Sequence, residues 1–415
     1  MTATAAIEPD RAADAAAEKT RERRALGVAS GAHVMHDGYT DLVWIALPIW
    51  QAEFGLSYAA VGLLRMVYSG TLAALQIPAS IVAERVGSRT VLAIGTALAG
   101  LCYCLAGLSD GFLWLLAALF VGGLGAATQH PIAAALVTRT FTGARALTAF
   151  GTYNFAGDAG KVLIPATATT LILFMPWRPA YALLGLVGIV IAGALFAVMP
   201  RLPPETASAA EAAEVTPEAR SHSAAENARL RFGYRILVLF GISDSVVRGA
   251  FFVLLPFLLI GKGAAVTTAG FALTLVFVGG ALGKLACGWV GKWIGTPATI
   301  VVSQVLTAAG IIAVLYIPLA AAIVLLPFLG VVLNGVTTVI YGSVPEYSAP
   351  ENRTRALSVF YTITIGSQAI APPVSGLIGD IIGIHSTIVL IAAATLATIP
   401  LAFLLKRGRS PSAAA

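Results

Sequence analysis

His33, Asp37 and Asp41 recur every four residues, so on a helix they fall on one face. An imidazole and two carboxylates in a row can pass a proton or hold a cation. The row lies inside an apolar stretch from Ala25 to Trp50, 26 residues long. At about 1.5 Å per residue this is enough to cross the roughly 30 Å hydrocarbon layer of a membrane. A carboxylate placed there costs about 2.5–3.5 kcal/mol on insertion scales, so the row must face other helices or a wet cavity. His36 adds a second imidazole beside Asp37.

Other chemistry-bearing groups sit in apolar surroundings too. Asn154, Asp158 and Lys161 are spaced four and three apart and share a helix face. Asp158 and Lys161 either neutralise each other as a structural pair or let a proton or substrate compete for one partner. Asp244 and Arg248 form an i,i+4 pair. Arg65, on a face with Ser69 and Gln76, either snorkels outward or joins the pathway. Gln129-His130-Pro131 offers an imidazole that either satisfies a carbonyl freed by Pro131 or carries a proton. Asn334 and Tyr341, then Tyr361 and Gln368, make neutral polar stripes suited to helix packing or to substrate contact. Lys284 is expected to snorkel to a membrane surface.

The elements that must position these groups are membrane helices. The chain is 58% hydrophobic and 11% charged over 415 residues, with mean hydropathy +0.86. Soluble domains carry roughly 25% charged residues, and a core of this size has no room for such an excess of apolar surface. Twelve spans are expected, at about 25–51, 57–83, 90–109, 111–138, 145–173, 179–199, 234–260, 266–290, 297–317, 319–344, 355–382 and 385–405. Residues 1–24 read as a disordered tail, 25–199 and 234–405 as two six-helix halves, 200–233 as a linker and 406–415 as a second tail. The tails, the linker and the loops after spans 2, 4, 8 and 10 hold 20 of the 26 Lys and Arg residues. The positive-inside rule then puts both termini in the cytoplasm.

The same inventory excludes other classes. The basic residues are scattered over short loops, which is no nucleic-acid footprint. Cys102, Cys104 and Cys287 lack metal-ligand spacing. Gly122-Gly123-x-Gly125 lies inside an apolar span and reads as close helix packing, not as a phosphate loop. With no nucleophile–base pair in view, an enzyme is not expected, nor is any metal or cofactor.

The halves repeat. A shift of 208 residues lays Ile45-Ala46-Leu47-Pro48 over Val253-Leu254-Leu255-Pro256 and Val86-Gly87-Ser88 over Ile294-Gly295-Thr296. A shift of 210 lays Arg145-Ala146-Leu147 over Arg355-Ala356-Leu357. With the six-plus-six repeat, the linker and the segment Ser80-Ile81-Val82-Ala83-Glu84-Arg85-Val86-Gly87-Ser88-Arg89, the chain resembles the major facilitator superfamily. That segment is similar to the family's Gly-x-x-x-Asp-Arg-x-Gly-Arg-Arg loop, departing at Ser80, Glu84 and Ser88. The His-Asp-Gly-Tyr opening, Leu47-Pro48 and Phe54-Gly55-Leu56-Ser57 are similar to fosmidomycin-resistance-type drug:proton antiporters.

The resemblance implies an all-α membrane fold of twelve helices whose spans 1, 4, 7 and 10 line a central cavity. It directs Asp37, Asp41 and Arg248 at the pathway and gives Glu84, Arg85 and Arg89 a gating role. The expected protein is a monomeric, multi-pass carrier in the cell's inner membrane. It would exchange protons, through Asp37, Asp41, His33, His36 and Asp158, for a small anionic or zwitterionic molecule. Arg65, Gln129, His130, Asn154, Lys161, Asp244, Arg248, Asn334, Tyr341, Tyr361 and Gln368 would meet that cargo. Efflux by antiport leads, uptake of an organic acid by symport follows, and a non-transporting membrane receptor is the reading from another class.

Overall fold

The computed structural model describes residues 8–141, 143–199, 224–349 and 352–408. The first half holds α1 (Glu8–Phe54), α2 (Tyr58–Val86), α3 (Ser88–Gly107), α4 (Phe112–Ala126), α5 (Gln129–Thr140), α6 (Gly143–Phe174) and α7 (Trp177–Val198). The second holds α8 (Ala224–Gly261), α9 (Val266–Ile294), α10 (Thr296–Tyr316), α11 (Leu319–Ser343), a 3-10 turn at Val344–Tyr347, α12 (Arg353–Ala397) and α13 (Ile399–Gly408).

Nine stretches among the described residues are long and apolar enough to cross a membrane on composition alone. α1 and α6 fall outside that set because they carry the charged rows, and Arg355–Leu405 enters it once though it contains two of the expected spans. Inside it, Gly383 adopts φ +82°, a left-handed turn that glycine takes without steric cost, and it joins spans 11 and 12 with almost no loop. The fourth span is α4 plus α5, interrupted at Ala127 and Thr128, where three glycines precede the break and Pro131 follows it.

Two expectations are corrected at the ends. The first helix already runs from Glu8, inside the stretch read as a disordered tail, and α8 begins at Ala224, inside the stretch read as linker. Both segments are rich in Ala, Glu and Arg, which propagate a helix well in water.

Within the first half α1 packs on α6 and α3 on α7; within the second α8 packs on α12 and α9 on α11. The halves meet where α2 lies on α12 and α6 on α9. We call the end at which α1 begins, α7 ends and α8 begins the basic face. At the opposite face the halves close tightly. Gly62 abuts the Pro372 backbone and Gly376 the Tyr58 carbonyl, with no room for a Cβ at either. The first turn of α2 is capped from both halves: Ser57 Oγ accepts from Ala60 N at 3.2 Å, while the Asp380 carboxylate accepts from Tyr58 N at 2.8 Å and Ala59 N at 2.9 Å. These are the donors a helix start leaves without partners. Deeper in, Trp44 and Phe252 face each other across the halves, 5.8 Å apart. Also at this face, Arg178 pairs with Glu53 at 2.5 Å and donates to Ser109 O at 3.1 Å. The Arg178 hydrogen bond holds the Glu53 carboxyl below its ordinary range.

Candidate functional site

α1 brings His33 and Asp37 against α6 because small residues let the helices touch. A Cβ at Gly157 would meet the His33 ring at 2.5 Å, and Gly160 lies on the Val34 backbone. The His33 ring stacks on Tyr153, centroids 4.1 Å apart, and its Nδ1 donates to Tyr153 O at 2.8 Å. A carbonyl only accepts, so that nitrogen carries a proton. The other nitrogen, Nε2, lies 3.2 Å from Asp37 Oδ2. A second proton must therefore sit between His33 and Asp37 for that contact to be a hydrogen bond.

Asp37 is the hub of the cluster. Lys161 Nζ approaches Oδ2 at 3.2 Å and His130 Nε2 approaches Oδ1 at 3.6 Å. Lys161 also lies 3.6 Å from Asp158, and Asp158 accepts from Lys284 of α9 at 2.5 Å. A chain of charges thus runs from α1 through α6 into the second half. Lys161, His130 and Lys284 keep 32%, 30% and 37% side-chain exposure at this depth, so an open space reaches the cluster. The expected snorkelling of Lys284 is corrected: its ammonium is held by Asp158, a better partner than a distant headgroup. His130 turns to Asp37 rather than to a carbonyl near Pro131. His33, Asp37 and His130 also bring three donor atoms within 4.8 Å of one another. A cation there would have to displace Lys161 from the same carboxylate.

The remaining expected site residues divide. His36 turns away from the cluster, with Nε2 at 2.9 Å from Thr96 Oγ1 in buried surroundings. Asp41 makes no ion pair among the described residues, though it lies in the field of Lys161 and Arg65. Arg65 is buried rather than snorkelling: it donates to Thr40 O at 2.6 Å and its guanidinium lies 4.1 Å over the Trp44 ring. Gln129 is buried and donates to Tyr153 OH at 3.0 Å. Asn154 is exposed. Glu84 and Arg85 are exposed too, while Arg89 donates to Phe196 O within the first half.

In the second half Arg248 Nη2 sits 3.3 Å from Asp244 and 3.4 Å from Ser245 Oγ, and Gln304 Nε2 donates to Asp244 at 3.3 Å. The Nε of Arg248 is buried without a partner. Tyr341 shares a hydrogen bond of 2.6 Å with Thr364, and its ring stands edge-on to Phe360 and Tyr361. Asn334 packs on Gly280 and Gln368 on Gly249, which is helix-packing geometry. Sequence reasoning missed Tyr153 and Gln304 as partners of the charged groups. Gln304 was findable, as a mid-span amide in an otherwise apolar helix.

Two halves of related packing around mid-depth charges define a membrane-carrier architecture. Residues 30–257 and 237–415 match the model of the Major Facilitator Superfamily, and the chain belongs to that family, one of transporters and not of enzymes. A probable L-galactonate transporter of Escherichia coli (strain K12) is 26% identical over 140 residues, 34% of this chain and 31% of that one. The multidrug resistance protein MdtL of Escherichia coli (strain K12) is 27% identical over 207 residues, 50% of this chain and 51% of MdtL. These matches span about a third to a half of the relatives' lengths. A bacterial homologue of the human lysosomal transporter Spinster, solved in an inward-facing and occupied conformation, superposes with a TM-score of 0.76. That likeness covers 93% of this chain and 98% of that one at 16% identity, and shows the fold.

Proposed function

We propose that this chain is a proton-coupled secondary transporter of a small anionic or zwitterionic organic molecule, working by alternating access of its two halves around the mid-depth charges. The observation that carries it is the run His33–Asp37–Lys161–Asp158–Lys284, which links a proton-holding contact to the only charge pair that joins the halves among the described ion pairs. A proton settling on Asp37 removes its hold on Lys161. Lys161 then competes with Lys284 for Asp158, and the tie between the halves weakens. Proton occupancy thereby biases how the halves sit, which is what coupling requires. His130, next to the same carboxylate and part exposed, offers the route by which the proton arrives. Asp41, in the field of Lys161, is a second seat for it.

The cargo end is Arg248. Its fork is held by Asp244 on one side only, leaving donors for a carboxylate or phosphonate oxygen pair. Tyr341 and Tyr361 line the same part of the second half. Antiport efflux is favoured by the likeness of the first two spans to fosmidomycin-resistance-type exporters and by the MdtL relative; the galactonate relative supports the second reading, uptake of an organic acid. The site is complete within one chain, so a monomer is the working unit. Glu84 and Arg85, exposed at the basic face here, would act as a latch when that face closes.

Counterflow of labelled sugar acids and phosphonates in liposomes, with and without a pH gradient, tests this reading. A chain that binds such a compound but never exchanges it is a receptor. The lopsided Lys and Arg distribution supports an inner-membrane orientation with cytoplasmic termini. Strong labelling from outside intact cells of a cysteine at Ala209, with none at Gly263, would overturn that orientation.

A further inference from the structure

The repeat that relates the halves also shows where one of them has lost a partner. In the first half Arg145, at the start of α6, pairs with Glu22 of α1 at 2.9 Å. The 210-residue shift carries Arg145 to Arg355, at the start of α12, and the 208-residue shift carries Glu22 to Leu230 of α8. At the equivalent positions the second half keeps the arginine and has Leu230 in place of the carboxylate.

What replaces the pair is a cavity of about 590 Å³ on the basic face, lined by Leu230, Arg231, Arg235 and Arg355 together with Asn227 and Asn352. No carboxylate lines it among the described residues. Arg231 spends its Nε on the Asn227 carbonyl at 3.2 Å, while Arg235 and Arg355 have no hydrogen bond or ion pair among the described residues. The walls are fixed: Tyr234 OH donates to Ala356 O at 2.8 Å, tying α8 to α12, and the buried Tyr347 donates to Leu405 O at 3.2 Å. Three exposed arginines around one cavity concentrate positive charge there, and planar forks of this kind match phosphate oxygens two at a time. The volume falls in the range of small-ligand pockets, roughly 300–1,000 Å³. Phe232 and Leu357, the chain neighbours of the lining residues Arg231 and Ala356, are exposed apolar side chains.

We infer that this cavity is a binding site for a phosphate-type oxyanion, borne by an anionic lipid headgroup or free in solution, which stands where Glu22 stands in the first half. It is separate from the mid-depth site and independent of the transport reading.

The test is thermal unfolding of the full-length protein in neutral detergent. Sodium phosphate is compared with sodium chloride at equal ionic strength, and added phosphatidylglycerol with phosphatidylcholine. One anionic probe at least should raise the Tm by about 2–4 °C. A rise with phosphatidylglycerol alone identifies the headgroup as the source; a rise with phosphate as well identifies a free anion. The rise should vanish in Arg235→Gln/Arg355→Gln. It should also vanish in Leu230→Glu, which restores the internal carboxylate and keeps all three arginines. A rise that persists unchanged in the double glutamine variant, or no rise with either probe in the native chain, overturns the site.

Discussion

One contact is made twice in this molecule, with different chemistry each time. His36 meets Thr96 in the first half, and Asp244 meets Gln304 in the second; a shift of 208 carries one pair onto the other. The scaffold is shared, yet the surrounding charges differ. The first half adds Asp37, one residue along, and gathers two imidazoles and a lysine around it. The second half has one carboxylate, one guanidinium and an amide. A guanidinium keeps its proton at any physiological pH, whereas a carboxylate shared with imidazoles can exchange one. Under the proposed function this difference is a division of labour, protons in the first half and cargo in the second.

That division breaks most directly at Asp37. Asp37→Asn should lower gradient-driven transport on the order of 100-fold while counterflow at equal pH persists. Full gradient-driven transport with unchanged pH dependence in both Asp37→Asn and Asp41→Asn would move coupling out of α1.

A smaller effect is expected in the second half. Arg248→Lys keeps the charge and loses the fork, so cargo affinity should weaken about 10-fold, or about 1.4 kcal/mol, with the pH profile unmoved. Titration calorimetry of cargo binding reads it. Asp244→Asn and Arg248→Gln should each lower thermal stability, and the double variant should regain it. If the double variant also regains native cargo affinity, Arg248 is structural and the division of labour fails.

Between the halves, Lys284→Met removes the tie to Asp158. The arrangement seen here should lose population several-fold, read as a broadened distance distribution between spin labels at Glu84 and Trp293. An unchanged distribution would make the tie incidental. The smallest effect is at Glu53, whose carboxyl Arg178 holds below its ordinary range. Such a group adds stability that is complete above its unfolded-state pKa and is lost as pH falls through its lower folded-state value. Glu53→Gln should therefore lower Tm slightly at neutral pH, where the charged pair is intact, and flatten the shallow acid-side fall below about pH 4, where native and variant converge.

Much of this was legible in the chain. Spacing put His33 and Asp37 on one face, and hydropathy gave the order of the spans, because both depend on neighbours in sequence. The partners across long separations were not legible. Lys284 and Asp158 lie 126 positions apart, and hydropathy reports the depth of a side chain in a membrane but not the direction it faces. His36 is the same lesson in reverse: adjacent to Asp37, it points a helical 100° away and meets α3. Arg65 looked free to snorkel because its burial depends on Trp44 and Tyr68 closing over it. The break between α4 and α5 was written in three glycines and a proline, and was outweighed by the apolar run around them.

Asp380 has a consequence for time. Its carboxylate is exposed and grips two backbone N–H groups at the start of α2, so part of what shuts the opposite face is a charge set against a helix end. Dissolved salt screens such an attraction, while excluded salts such as sulfate strengthen apolar contacts like Trp44 on Phe252. At matched ionic strength the screening is equal, so the shut face should dwell longer in sulfate than in chloride, and in chloride its dwell should shorten as the salt is raised. The carrier's clock would be set at its surface, by the ions it does not carry.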